Sequence, residues 1–375
     1  MCRNYKDKFL TSHLITYIGN KRRLLSFIDN AIYDIKKELG KNKISIFDGF
    51  SGSGCVSRLF KYDASHLYVN DIEPYSETIN KCYLSNTSEV NIKEIEDYIS
   101  FLNSHKLDSY ETGFIEKNYA PKDDNNIKEG ERVFYTNKNA KIIDNIRREI
   151  TKIDNKKIKN FLLAPLLVKA SVHNNTSGVF KGFHKKDGIG HFGGKGENAL
   201  VRIKSDICLD VPIFCKHECD FSIFRGDTNI VVEKIPEIDI AYYDPPYNQH
   251  PYGSNYFMLN IINDYNNPEI QDGVSGIIKN WKKSAYNKRQ LAEEALDGLI
   301  EKTKAKYIVI SYNNEGIIPI DIFNDILKKY GEVKKRYLDY NTYRGSKNLG
   351  KDKLLLNGDS KNVKVKEFLW ILKKN

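Results

Sequence analysis

Long apolar runs are missing from this 375-residue chain: the longest, residues 161–168, is far short of the roughly 20 residues a membrane-crossing helix needs. A transmembrane helix is therefore excluded, and no membrane partner is expected. The opening stretch MCRNYKDKFLTSH has no apolar core followed by small residues, so no secretory signal is expected and the cytoplasm is the expected compartment. Cysteine is sparse, with six scattered at positions 2, 55, 82, 208, 215 and 219, which fits free thiols better than a disulfide framework. There is no C-x-x-C pair, and the lone C-x-x-x-C of Cys215 and Cys219 is too little for zinc, so no metal is expected. A phosphate loop of the form G-x-x-x-x-G-K-[ST] is also absent.

Acid is in deficit. Asp and Glu number 49 against 59 Lys and Arg, a formal charge of +10, which favours a polyanionic partner. Part of the lysine excess goes with a general richness in Lys, Asn, Ile and Tyr, whose codons are AT-rich, so distribution is more informative than the total. Residues 279–289 hold five basic side chains and no acid, 171–204 hold six against two, and 331–375 hold twelve against five. Such clusters point to surfaces that face phosphate.

Apolar spacing predicts a helix over 22–39 ended by Gly40, then a strand at 44–47, a Gly/Ser turn at 49–54, an apolar-patterned stretch at 56–60, a short strand at 67–69 and a helix opened by Pro74. This alternation argues for a parallel sheet with helices on its faces. From about 84 to 221 the pattern changes to polar stretches around helical candidates at 140–150 and 159–172, followed by the Gly-rich segment SGVFKGFHKKDGIGHFGGKG. The α/β pattern resumes at 238–243 and 307–311, with closing strands near 333–340 and 363–372. The expected organisation is a domain in two pieces, 1–84 and 222–375, with a second domain, 85–221, inserted between them.

The most informative word is Asp244-Pro245-Pro246-Tyr247, directly after the apolar strand IDIAYY. Carboxyl ends of parallel strands line the ligand crevice of open α/β sheets, and two prolines make the chain leave stiffly. An aromatic exocyclic amine is a poor nucleophile because its lone pair is delocalised. The Asp244 carboxylate and the Pro245 carbonyl can accept its two N–H bonds and free that lone pair, while Tyr247 stacks on the base. A plain Pro-Pro turn is the bland alternative. The turn Phe50-Ser51-Gly52-Ser53-Gly54 lets a ligand approach the backbone, and Asp48 suits an amino-acid part, although a simple tight turn reads the same way. Asp71 stands where an acid meets a ribose diol, Asp227 where one meets an adenine amine, and both equally suit helix caps. Tyr17-Ile18-Gly19-Asn20-Lys21 precedes the first helix and brings a cation to its start.

Their order is more specific than any one of them. Y-I-G-N-K, F-S-G-S-G, N-D, a long insertion, G-D and D-P-P-Y together resemble the class-alpha, Dam-like family of S-adenosylmethionine-dependent adenine-N6 DNA methyltransferases, across nearly the whole chain. The resemblance implies a Rossmann-like α/β methyltransferase fold with an inserted target-recognition domain. It implies S-adenosylmethionine as cofactor, flanked by Tyr17 and Lys21, with Phe50, Gly52 and Gly54 cradling the methionine part and Asp48 near its amino group. Asp71 would hold the ribose, Asp227 the cofactor adenine, and Asp244, Pro245, Pro246 and Tyr247 the target base, with Asp244 also bordering the cofactor. Implied too are double-stranded DNA as substrate, a role in restriction–modification, and a monomer acting beside a separate restriction endonuclease.

Lys181, Lys185, Lys186 and Lys195 of the Gly-rich segment, Lys282, Lys283 and Arg289 of the stretch KNWKKSAYNKR, and Arg344 and Lys347 between the closing strands are candidate DNA contacts. Three rival functions stay open: methylation of cytosine N4, where the family pattern more often has Ser in place of Asp244; methylation of adenine in RNA, where Asn is common there; and a non-catalytic DNA-binding specificity protein.

Overall fold

The computed structural model describes residues 5, 7–12, 14–108, 111–194, 196–197, 199–340 and 365–375. In chain order the strands are β1 (Ile44–Asp48), β2 (Ala64–Asp71), the short pair β3 (Lys185–Lys186) and β4 (Ile189–Gly190), then β5 (Asp220–Arg225), β6 (Ile238–Tyr243), β7 (Ala305–Asn313), β8 (Gly331–Tyr340) and β9 (Val365–Lys374). Seven of them form one sheet in the order β5-β2-β1-β6-β7-β9-β8. The first five in that order are parallel, and β9 lies antiparallel between β7 and β8. The chain runs outward from β1 to β2 and β5, then crosses back to β6 on the other side of β1. The strand order thus reverses between β1 and β6, which is where open α/β sheets bind ligands. This is the expected Rossmann-like methyltransferase arrangement.

Local sequence explains the main elements. In the helix Leu25–Leu39, Leu25, Ile28, Ala31, Ile32 and Ile35 are buried on one face. Gly40 closes it at φ +65, with its N–H donating back to the last turn. All six residues of β6 are buried, because helices cover both faces of the sheet there. Ile240 and Tyr242 pack with Leu25 and Leu59, whereas Ala241 and Tyr243 pack with Leu296 and Phe323. Each large side chain so buried contributes about 1.5–3 kcal/mol.

A separate core unites the helices Ile92–Ser104, Asn137–Thr151 and Lys156–Val172 with Tyr75 and Ile79 of the helix Pro74–Tyr83 and Phe257 to Ile262 of the helix Phe257–Asp264. The chain leaves the sheet region after Pro74–Tyr83 and returns directly into β5, whose first residue is Asp220. The sequence reading assigns no strand there, since the half-buried edge strand DFSIFR carries only a weak apolar signal. The exit and return are stitched together: Asn86 Nδ2 donates to the Cys219 carbonyl at 3.1 Å, and the buried Lys61 ammonium donates to Asn86 Oδ1 at 2.6 Å. Among the described residues no helix is long and apolar enough to cross a membrane.

Candidate active site

The carboxyl ends of the parallel strands converge on one solvent-open cavity, about 800 Å³ of empty space when the part open to solvent is included. After β1, the backbone N–H of Ser51 donates to the Asn70 carbonyl and that of Gly52 to Asp71 Oδ2 at 2.7 Å, so the glycine turn is held on the end of β2. Asn70 Nδ2 reaches the carbonyls of Gly49 and Gly226, tying three strand ends together. Gly52 has φ +50, and a Cβ there would lie 2.8 Å from the Tyr17 ring. Tyr17 is itself stacked at 4.8 Å against both Tyr252 and Tyr256.

Of the residues read from sequence, Tyr17, Lys21, Phe50, Gly52, Asp71, Asp227, Asp244 and Pro246 line this cavity. Asp48, Gly54, Pro245 and Tyr247 do not. Asp48 is buried beneath the turn, where Oδ2 accepts from Ser57 Oγ at 2.5 Å and Oδ1 has no hydrogen-bond partner among the described residues. Gly54, at φ +72, starts the helix Cys55–Phe60. The Tyr247 hydroxyl lies close to Gly19, its ring meets Tyr312 edge-on at 6.0 Å, and its carbonyl accepts from Ile317 N. Asp227 caps the helix Thr228–Val231 by accepting from Asn229 N at 2.9 Å, and it also faces the cavity.

Lys21 stands at the centre of the charged part. Asn20 Oδ1 accepts from Arg22 N and caps the turn Lys21–Leu24. Ile18 is clamped by the hydroxyls of Tyr252 and Tyr256. The ammonium so positioned is 3.1 Å from Asp244 Oδ1, a close ion pair without hydrogen-bond alignment, and donates to Glu367 Oε1 at 2.7 Å. Burial works against the charge on Lys21, but Asp244 and then Glu367 outweigh it and hold its pKa well above the usual lysine value. Burial pushes the Asp244 carboxyl up to about 7, with Lys21 opposing and Glu367 adding to the rise.

The other acids are shifted in the same direction. Burial raises Asp48 to about 7 against the Ser57 hydrogen bond, Asp71 to about 6 against the N–H groups of Glu73 and Gly52, and Glu73 to about 8 against Asn260. Carboxylates so crowded, with Lys21 the one cation lining the cavity among the described residues, favour a cationic ligand.

Parts of two basic segments lie at or next to the cavity wall. Ser284 and Tyr286 line the cavity, the Lys282 backbone packs on Gly253, and Phe180 N donates to the Asn255 carbonyl at 2.7 Å. Lys181 Nζ is 3.5 Å from His250 Nδ1. Lys185, Lys186, Lys282, Lys283 and Arg289 are exposed, and among the described residues no carboxylate pairs with any of these five or with Lys181. Lys195, Arg344 and Lys347 lie outside the described residues.

Sequence reading missed Glu73, Tyr252 and Glu367. For Glu367 a signal exists: it shares a strand face with the buried Leu369 and Ile371, so an acid occupies an apolar position. Its partner Lys21 is 346 positions away, and nothing local connects them.

The model of the D12 class N6 adenine-specific DNA methyltransferases matches residues 17–326. The Type II methyltransferase M.NlaIII of Neisseria lactamica is 26% identical over 367 residues, covering 96% of this chain and 99% of that protein. The Type II methyltransferase M.CviAII of Paramecium bursaria Chlorella virus 1 is 29% identical over 327 residues, 85% of this chain and 90% of that one. For the Type II methyltransferase M.FokI of Planomicrobium okeanokoites the identity is 30% over 328 residues, 84% of this chain but only 47% of the longer relative. With the motifs gathered at the strand ends of a methyltransferase sheet and the match running through them, the chain belongs to the D12 class N6 adenine-specific DNA methyltransferase family, and its reaction is site-specific methylation of adenine in DNA.

Proposed function

We propose that S-adenosylmethionine binds in the strand-end cavity and that an adenine flipped out of double-stranded DNA meets it at Asp244. The observation that carries this reading is the half-buried Asp244 carboxylate, set at a cavity edge beside Lys21 and among other acids. A ligand with a sulfonium and an ammonium against one carboxylate has a net positive charge, which fits these acids. Gly52 lines the cavity without a side chain, which fits a ligand that lies close on the backbone.

S-adenosylmethionine supplies a methyl carbon made electrophilic by its sulfonium. The protein's residues do the rest. Gly52 and Phe50 border the methionine part, Asp71 and Glu73 face the ribose, and Asp227 faces the cofactor adenine. Asp244 and the Pro245 carbonyl accept the N–H bonds of the target amine, aim its lone pair, and leave Asp244 placed to take the released proton. Tyr247 stacks on the flipped base. Flipping costs about a few kcal/mol, offset by stacking and by phosphate contacts from Lys181, Lys185, Lys186, Lys195, Lys282, Lys283, Arg289, Arg344 and Lys347.

The insertion, 85–221, serves as the recognition domain between the catalytic pieces 1–84 and 222–375. The names of the relatives M.NlaIII and LlaI, a Type II methyltransferase and a modification methylase, support a modification role in restriction–modification, with cleavage by a separate endonuclease. The enzyme works as a monomer in the cytoplasm.

Equilibrium dialysis with labelled S-adenosylmethionine tests the cofactor's location. Gly52→Ala places a methyl group against Tyr17 at a φ of +50, so affinity for the cofactor is expected to fall at least about tenfold, with duplex DNA binding unchanged. Equal affinity in the variant places the cofactor elsewhere.

A further inference from the structure

Beyond the D-P-P-Y word, the buried charges form a chain across three elements. Ser311 Oγ, on β7, donates to Glu367 Oε1 at 2.8 Å. The same oxygen accepts from Lys21 at 2.7 Å, and Lys21 lies 3.1 Å from Asp244. Glu367 faces Asn313 across the β7–β9 ladder, so the antiparallel strand starts at the edge where the parallel strands end. That arrangement delivers a fixed carboxylate behind the lysine. Glu367 does not line the cavity, and so it acts from behind Lys21 and Asp244 rather than on a ligand.

A lysine paired with Asp244 alone would draw the full strength of its charge onto that carboxylate and leave it a poor acceptor. A second carboxylate on the far side divides the ammonium between two anions, giving a buried group of net charge −1. We propose that Glu367 is a positioning residue for methyl transfer: it fixes the Lys21 ammonium beside Asp244 and takes a share of its charge, which keeps Asp244 a strong acceptor for the adenine amine. This rests on the role given to Asp244 above.

Besides Lys21 and Glu367, the groups that face Asp244 electrostatically are Tyr242 on β6, Asp48 at the end of β1, and Tyr252 on the segment after D-P-P-Y. Glu367→Gln leaves all of these in place. It removes a negative neighbour and commits Lys21 to Asp244, and both changes lower the pKa of Asp244. The acidic limb of kcat/KM for DNA therefore moves to lower pH.

The test measures kcat, KM for both substrates and the pH profile in wild type, Glu367→Gln, Glu367→Asp, Ser311→Ala and Asp244→Ala. In Glu367→Gln, kcat at pH 8 is expected to fall about 10- to 100-fold with KM for the cofactor within about twofold, and the acidic limb to move down by about one pH unit. Glu367→Asp, which keeps the charge, returns the limb toward wild type. Ser311→Ala, which removes only the hydroxyl that orients Glu367, gives a smaller change in the same direction and stands in should Glu367→Gln not fold. A wild-type limb and kcat in whichever of the two variants folds overturns the proposal. If Asp244→Ala itself stays active, it is the role of Asp244 that fails.

Discussion

Asp244→Ala is expected to lower single-turnover methyl transfer to DNA by about 10³-fold or more, the range for losing a group that both orients a nucleophile and takes its proton. The fold is expected to survive. Lys21 would lose one of its two anionic partners but keep Glu367 at 2.7 Å, so no unpaired charge is left in the interior. Cofactor affinity should change little, since Gly52, Phe50, Asp71 and Asp227 line the cavity independently of Asp244. Equilibrium binding of cofactor and duplex DNA beside the single-turnover rate separates these effects. A variant that binds both and transfers methyl at the wild-type rate contradicts the assignment of Asp244.

Lys21→Met has the opposite profile. It keeps much of the side-chain volume and removes the cation between the buried Glu367 and the half-buried Asp244, a change that costs up to about 3–5 kcal/mol, the range for a buried pair that loses one partner. Much of that cost depends on pH. The pKa of Asp244, already near 7, rises further once Lys21 is gone. Below that value the carboxyl is protonated and the penalty is relieved; above it the unpaired charge remains. Denaturant unfolding should therefore show a smaller loss at pH 6 than at pH 8.5. Adding Glu367→Gln should recover part of the loss, so that the double variant is more stable than the sum of the single changes predicts. An equal loss at both pH values would mean that Lys21 stabilises by packing rather than by charge.

The contrast between these two residues shows what a sequence discloses. Asp244 is legible because its chemistry is written locally: an apolar strand, an acid at its end and two prolines that stiffen the exit. The helix Leu25–Leu39 and its Gly40 cap are legible for the same reason, since periodicity and a left-handed stop are properties of neighbouring residues. Lys21 is visible only as a cation near a helix start, and its function depends on Glu367, which the topology of β9 brings to it from the far end of the chain.

Asp48 and Asp227 show the converse. Each stands at a strand end as motif reading expects, yet Asp48 sits below the turn on Ser57, and Asp227 also caps a helix. Which of two compatible uses a carboxylate serves is set by tertiary packing. The strand β5 escaped notice because an edge strand is apolar on neither face strongly enough to stand out from the polar insertion before it.

The most direct test of the account is to incubate the protein with isotope-labelled S-adenosylmethionine and unmethylated duplex DNA, digest the product to nucleosides, and map the modified positions by long-read sequencing. The account predicts label only in N6-methyladenine, at one sequence context. Label in N4-methylcytosine, or no label in the DNA at all, would contradict it.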